Sequence, residues 1–170
     1  MTLAHAIFWF VVIQRLLELA FARRNTRILK EQGGIESGRG HYPVIVLLHI
    51  SWLVAIWLGI QRDPSVRWFP LSIFLLLQVM RLWVIATLGR FWTTRVISVA
   101  GEPLVRRGPY RYFAHPNYLV VIGEITMLPL VFGQVENAVM FTLINLAILG
   151  WRIRVENAAL ERRRTLGARR

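Results

Sequence analysis

Two short constellations in this 170-residue sequence hold residue types suited to proton and group-transfer chemistry. The first is His115-Pro116-Asn117-Tyr118, at the start of an apolar run. An imidazole can exchange a proton near neutral pH. Pro116 suits the first turn of a helix and holds His115 extended before it. The second is Arg152, Glu156 and Leu160, which share one face of a helix at i, i+4 and i+8, with Asn157 alongside. A third set interrupts the apolar segments: Arg15 and Glu18, His49, Gln78 and Arg81, and Glu124. Charges at membrane depth are costly, so each of these is a candidate for function. Arg15 and Glu18, three apart, read best as mutual neutralisation, and His49 as a packing residue. Arg81 is near a segment end and suits either snorkelling or function. Glu124 has no local partner and reads as functional.

The elements that must position these groups follow from composition. Hydrophobic residues make up 55% of the chain, yet the formal charge is +12 and the pI is about 11.6. So much apolar surface excludes disorder, and one small aqueous domain could not bury it all. High charge and high hydrophobicity together call for two solvents. Five apolar segments predict membrane-spanning helices at 2–21, 43–61, 68–88, 117–133 and 136–151, followed by a basic tail, 152–170. The chain is expected to be all-α, a single domain over 1–170, with its last two passes forming a tight helical hairpin. No Lys or Arg precedes the first run, and Arg15 and Glu18 interrupt it, so it reads as a pass and not as a cleaved leader.

All basic residues but Lys30 are arginine, and most cluster in 22–42, 89–116 and 152–170. Five passes put those three regions on one face and leave Arg62 and Arg67 on the other. The amino terminus is then expected outside and the carboxyl terminus in the cytoplasm. Because the arginines flank membrane passes, nucleic acid is not the expected partner; membrane lipids are, with the tail held to anionic headgroups. Cysteine is absent and the four histidines are scattered, so no metal site is expected. Phosphate-loop, dinucleotide and serine-hydrolase motifs are absent too.

The cytoplasmic-side segment 89–118 is longer than a passive connector needs. An interfacial aromatic belt would account for its Trp92, Tyr110, Tyr112 and Phe113, but less well for the His-Pro-x-Tyr helix entrance. The short hairpin makes the last two helices neighbours, so His115, Tyr118, Arg152 and Glu156 should converge.

Gly108-Pro-Tyr-Arg-Tyr-Phe-Ala-His-Pro-Asn-Tyr118, followed by a hairpin and Arg152-x-x-x-Glu156-Asn157, resembles the isoprenylcysteine carboxyl methyltransferase family. Gly33-Gly34, His41-Tyr42-Pro43 and Phe91-Trp92-Thr93-Thr94-Arg95 further resemble a small bacterial branch that includes enzymes O-methylating alkylpyrones. The resemblance covers roughly 20–165. It departs at Ala114, where the family usually has Arg, and at Asn157, where it has a second Glu. Arg111 and Arg107 are candidates to supply the missing guanidinium.

The resemblance implies an S-adenosylmethionine-dependent methyltransferase of a bacterial inner membrane. Its catalytic candidates are Arg111, His115, Glu124 and Arg152. Tyr112, His115, Pro116, Tyr118, Glu156 and Asn157 are expected at the cofactor, and Arg81 and Glu124 at the acceptor's polar head. The acceptor would be a lipophilic small molecule or prenylated compound entering from the bilayer. A carboxylate acceptor needs orienting but no base, whereas a hydroxyl loses a proton, which His115 or Glu124 would take. A phospholipid-type N-methyltransferase, a sterol-type reductase and a non-catalytic membrane subunit remain as alternatives. The acceptor's identity and the oligomeric state are left open.

Overall fold

Five helices dominate a computed structural model of the chain: α1 (Leu3–Glu31), α2 (His41–Arg62), α3 (Trp68–Leu88), α4 (Pro116–Val131) and α5 (Val135–Gly167). The structure describes residues 2–37, 40–63, 65–99, 102 and 105–167, with the side chains of residues 41 and 157–167 outside that description. The sequence-based expectation of an all-α chain holds apart from one small ladder. β1 (Ile35–Ser37) pairs antiparallel with β2 (Val96–Ser98), Glu36 facing Ile97.

Among the described residues, four helices are long and apolar enough to cross a membrane, over Leu3–Glu31, Tyr42–Arg62, Trp68–Phe91 and Val135–Glu156. The expected fifth is shorter: α4 has 16 residues and is about 24 Å long, below the usual span of about 20 residues. Their outward faces are apolar, Leu17, Leu47, Val79 and Leu143 among them. A surface of that kind suits lipid and not water. The chain is a multi-pass membrane protein.

Two helices outrun their expected ends. The buried positions of α1 are Ala4, Phe8 and Val11, then Ala22, Asn25 and Leu29. The alternating steps of three and four carry one inward face through the arginine-rich stretch. Arg23, Arg24 and Arg27 lie on the exposed side of that helix, where a count of charges alone reads a loop. Similarly, α5 continues past Trp151 to Gly167. Between α4 and α5 the chain turns over 132–134, with Gly133 at φ 72.

Most of the core sits between α2, α3, α4 and α5: Trp52, Ile56, Phe74, Ile125, Leu128 and Phe141 are all buried. The Trp52 indole N–H donates to the Ile125 carbonyl at 3.2 Å. A smaller cluster of Ala22, Val84 and Trp92 lies where α1 meets the end of α3. There Asn25 Nδ2 donates to the carbonyls of Gly89 and Trp92, both at 2.9 Å.

Between the two clusters lies a charged network. The missing steps in the inward stripe of α1 are Arg15 and Glu18, four beyond Val11 and four before Ala22. Arg15 reaches Glu18 and Glu124, both at 2.9 Å. Arg81 reaches Glu18 at 2.7 Å and Glu124 at 2.6 Å. Gln14 donates to Glu18 at 3.0 Å and to Gln78 at 2.7 Å, and Gln78 passes a bond on to Glu124 at 2.9 Å. Two guanidinium groups thus meet two carboxylates and tie α1, α3 and α4 together.

Glu124 is 2% exposed, so Glu124→Ala would leave Arg15 and Arg81 to share Glu18, one buried positive charge in excess, and should cost about 3–5 kcal/mol. Arg81→Met with Glu124→Leu removes one charge of each sign and leaves Arg15 with Glu18. Thermal unfolding in detergent should therefore show the double variant markedly more stable than the sum of the single variants. Additive losses would contradict the closed network.

Candidate functional site

The α3–α4 connection folds back over the bundle end instead of looping away from it. Gly108 makes this possible: its φ is 56, and a Cβ there would lie 2.5 Å from Thr87 Oγ1 near the end of α3. The turn Gly108–Arg111 therefore seats directly on α3 and delivers the chain to His115 and the start of α4.

Beneath this connection opens a cavity of about 480 Å³, within the size range of small-molecule sites. Its walls come from the α3 end (Leu88, Phe91, Trp92), from β2, from the α4 entrance (His115, Asn117, Tyr118) and from α5 (Arg152, Glu156). His115 stacks on Tyr118, with ring centroids 5.1 Å apart at 14°. The Tyr118 hydroxyl donates to Glu156 Oε2 in a short bond and accepts from Arg152 Nε at 2.9 Å. His115 Nδ1 lies 3.9 Å from Glu156 Oε2. Burial, and secondarily the Glu156 charge, pushes the nearby Tyr110 phenol well above its ordinary value, so it stays protonated at neutral pH. One wall of the cavity thus carries linked hydrogen-bonding groups, and the rest mixes apolar side chains with Arg95, Glu102 and Arg106.

Of the residues singled out from sequence, His115, Tyr118, Arg152 and Glu156 come together in this wall, with Ala114 beside them. Pro116 is buried at the first turn of α4. Arg111 and Tyr112 are exposed and lie on each other, guanidinium to ring centre 5.9 Å, outside the cavity lining. Arg107 reaches back to the Thr87 carbonyl at 3.5 Å, while Arg106 is the lining arginine of that pair. Arg81 and Glu124 belong to the charged network and are not in the cavity wall. The Arg81 guanidinium sits 5.7 Å from the ring centre of Trp92, which does line the cavity. The Asn157 side chain falls outside the described residues. His49 donates to its own helix, Nδ1–H to the Ile45 carbonyl at 2.8 Å.

Several lining residues escaped sequence reasoning. The aromatic-belt expectation divides: Tyr112 and Phe113 are exposed, whereas Trp92 is 4% exposed and part of the wall. Asn117 sits inside the quoted motif, but its spacing gave no sign of a role. Arg95 lines the cavity because Glu36, on the opposite strand, holds it at 2.5 Å, and because it lies 4.5 Å over the Tyr42 ring. Lys30, at the end of α1, grips the other Glu36 oxygen at 2.6 Å. The available signal was Glu36, one of two acidic residues, with Glu31, in the basic stretch between the first two passes.

Burial alone would raise the Glu36 carboxyl, but the hydrogen bonds and charges of Lys30 and Arg95 outweigh it and hold the group below the ordinary carboxylate range. Its ion pairs therefore stabilise the ladder fully above that range, and the contribution fades as pH falls through the lowered folded value. The unfolding temperature of the wild type in detergent should drop more steeply on acidification than that of Glu36→Gln. Parallel curves for the two proteins would contradict the assignment.

Comparison with known proteins agrees with this arrangement. The model of the isoprenylcysteine carboxyl methyltransferase family matches residues 70–162, from α3 through the cavity wall on α5. An uncharacterized protein of Bacillus subtilis (strain 168), YpbQ, is 38% identical over 163 residues, which is 91% of this chain and 97% of that protein. An uncharacterized protein of Haemophilus influenzae is 24% identical over 151 residues, 86% of this chain and 88% of its own length. No solved structure matches significantly. The family model covers more than half of the chain, including every element of the cavity wall, and the chain belongs to the isoprenylcysteine carboxyl methyltransferase family.

Proposed function

We propose that the protein is an S-adenosylmethionine-dependent methyltransferase that methylates an oxygen, carboxylate or hydroxyl, of a lipophilic acceptor. The observation that carries this reading is the meeting of His115, Tyr118, Arg152 and Glu156 around one cavity, within the stretch matched by the family model. The residues present fit the cofactor. The cavity combines apolar walls for a nucleoside with charged groups of both signs for an amino acid. It also retains two buried polar atoms without protein partners, Trp92 Nε1 and Asn117 Oδ1.

When bound, S-adenosylmethionine supplies an activated methyl group; the chain's own work is binding, orientation and exclusion of water. Arg152 and Glu156, fixed through the Tyr118 hydroxyl, would hold the cofactor's polar end. Leu88, Phe91, Val96 and Val99 keep the apolar side dry. A carboxylate acceptor needs only positioning. A hydroxyl acceptor releases a proton, and the His115 imidazole, exposed to the cavity and close to Glu156, is the group suited to receive it. The acceptor would enter between helices from the bilayer. Its polar head would meet the Arg81–Glu124 network, where Gln14 Oε1 and Arg15 Nε are buried acceptor and donor without partners.

The same proposal includes five crossings with the amino terminus outside. Supporting it, α4 and the segment that enters it pack along α3 from one end to the other. The Arg67 amide donates to the Val131 carbonyl at 2.7 Å at one end, and the Gly108 turn seats on Thr87 at the other. The 16 residues of α4, together with the segment 108–115 that leads into it, thus run alongside the 21 residues of α3.

Calorimetric titration of detergent-purified protein with S-adenosylhomocysteine should give binding, and His115→Ala and Glu156→Ala should each weaken it at least about tenfold. Folded wild-type protein that does not bind would overturn the methyltransferase reading. For the orientation, the chain has no cysteine of its own, so single thiols report cleanly. In intact cells Ser65→Cys should react with an impermeant maleimide and Lys30→Cys should not. The reverse pattern would invert the topology.

A further inference from the structure

Behind the cavity, an open groove of about 590 Å³ lies at the end of α3, between the turn Gly89–Phe91 and residues 105–107. Leu88, Phe91, Val105 and Arg106 line both spaces, which therefore share one wall. Arg90 and Arg107 line the groove and not the cavity.

The groove combines apolar side chains with three guanidinium groups. Arg90 lies 4.8 Å from the ring centre of Phe91 and pairs with Glu102 at 2.6 Å. Glu102 is the single acidic residue in 89–116, against five arginines. It neutralises Arg90 and leaves Arg106 and Arg107 uncompensated. Both of these are exposed. Among the described residues neither has a carboxylate partner, and Arg107 reaches only the Thr87 carbonyl, at 3.5 Å. Two uncompensated guanidinium groups beside an apolar lining fit an amphiphile with an anionic head, because guanidinium receives phosphate through paired hydrogen bonds.

The position of the groove points the same way. Leu88 to Phe91 close the membrane-spanning stretch Trp68–Phe91, which puts the groove at the boundary between bilayer and water. Leu75, Val79, Leu82 and Ala86, spaced four, three and four apart, form one exposed stripe of α3 that leads to the exposed Arg90. An acyl chain can follow that stripe while its headgroup stays in the groove. A free phosphate has no use for it.

We propose that the groove holds an anionic phospholipid, its phosphate received by Arg106 and Arg107 and an acyl chain laid along that stripe. Basic pockets at the membrane surface hold anionic headgroups on the same principle. A zwitterionic lipid brings a cation to the arginines as well as a phosphate and is disfavoured. Because Arg106 also lines the cavity, the bound phosphate offsets positive charge on the shared wall. The site is separate from the basic tail and does not depend on what the cavity binds.

The test is native mass spectrometry of the full chain in neutral detergent, titrated with phosphatidylglycerol and with phosphatidylcholine of equal chain length. Wild-type protein should bind phosphatidylglycerol at least about tenfold more tightly. Arg106→Gln with Arg107→Gln should bring the two affinities together; both positions are exposed, so the fold is retained. Arg162→Gln, Arg163→Gln and Arg164→Gln together should leave the preference intact. Equal wild-type affinities would overturn the proposal, and that result needs no variant to fold. A preference that survives the groove variant would overturn it too, and loss of preference in the tail variant alone would assign the lipid to the tail. Glycerol phosphate should fail to displace the lipid; displacement at equal concentration would mark a site for a free phosphate ester and overturn the lipid assignment.

Discussion

Charges placed in an apolar layer must cancel within it, and that constraint organises this protein. Arg15, Glu18, Arg81 and Glu124 come from three helices, and each guanidinium group bridges both carboxylates across them. Lipid offers neither water nor counter-ions, so the helices are compelled to one arrangement in which both guanidinium groups touch both carboxylates. Between helices that all present apolar surface to lipid, such a network supplies the specificity that apolar packing does not.

The network also reaches the cavity. Arg81 lies against the indole of Trp92, and Asn25 on α1 holds the backbone at that residue. Packing inside the membrane therefore sets the position of a wall outside it. The ladder of β1 and β2 does the same from the other side: Glu36, anchored by Lys30 at the end of α1, places Arg95. The amino-terminal helix and strand lie outside the family match at 70–162, yet both brace it. The cavity-wall motifs in the carboxyl-terminal half are held by a scaffold from the amino-terminal half.

Such an arrangement suits a reaction whose reactants come from two solvents. The cavity, with its charged and aromatic lining, lies at the bundle end among arginine-rich segments. The helix faces around it are apolar and open to lipid. On the proposed reading a water-soluble cofactor and a lipid-soluble acceptor meet where these regions adjoin, so neither must cross the medium it does not tolerate.

Much of this was legible in the sequence because it depends on local composition. Apolar runs marked the five helices, four of them long enough to span, arginine clusters marked the basic stretches, and the spacing of Arg152 and Glu156 put them on one helix face. The step pattern of α1 was also present in the sequence, but its arginines masked the helix beyond Phe21. Other features depend on partners far apart in the chain. Nothing near Glu124 in sequence shows that Arg15 and Arg81 converge on it. Nothing near Trp92 distinguishes a belt residue from a buried wall with a free N–H. Arg111, close to the motif in sequence, turns to the surface, while Arg95 is drawn into the wall by Glu36. Sequence alone determined the apolar helical segments and the residue types available for chemistry, because these follow from composition and periodicity. Only tertiary structure decided which charges pair and which polar atoms stay unpaired, because pairing requires contact between segments that sequence order leaves remote.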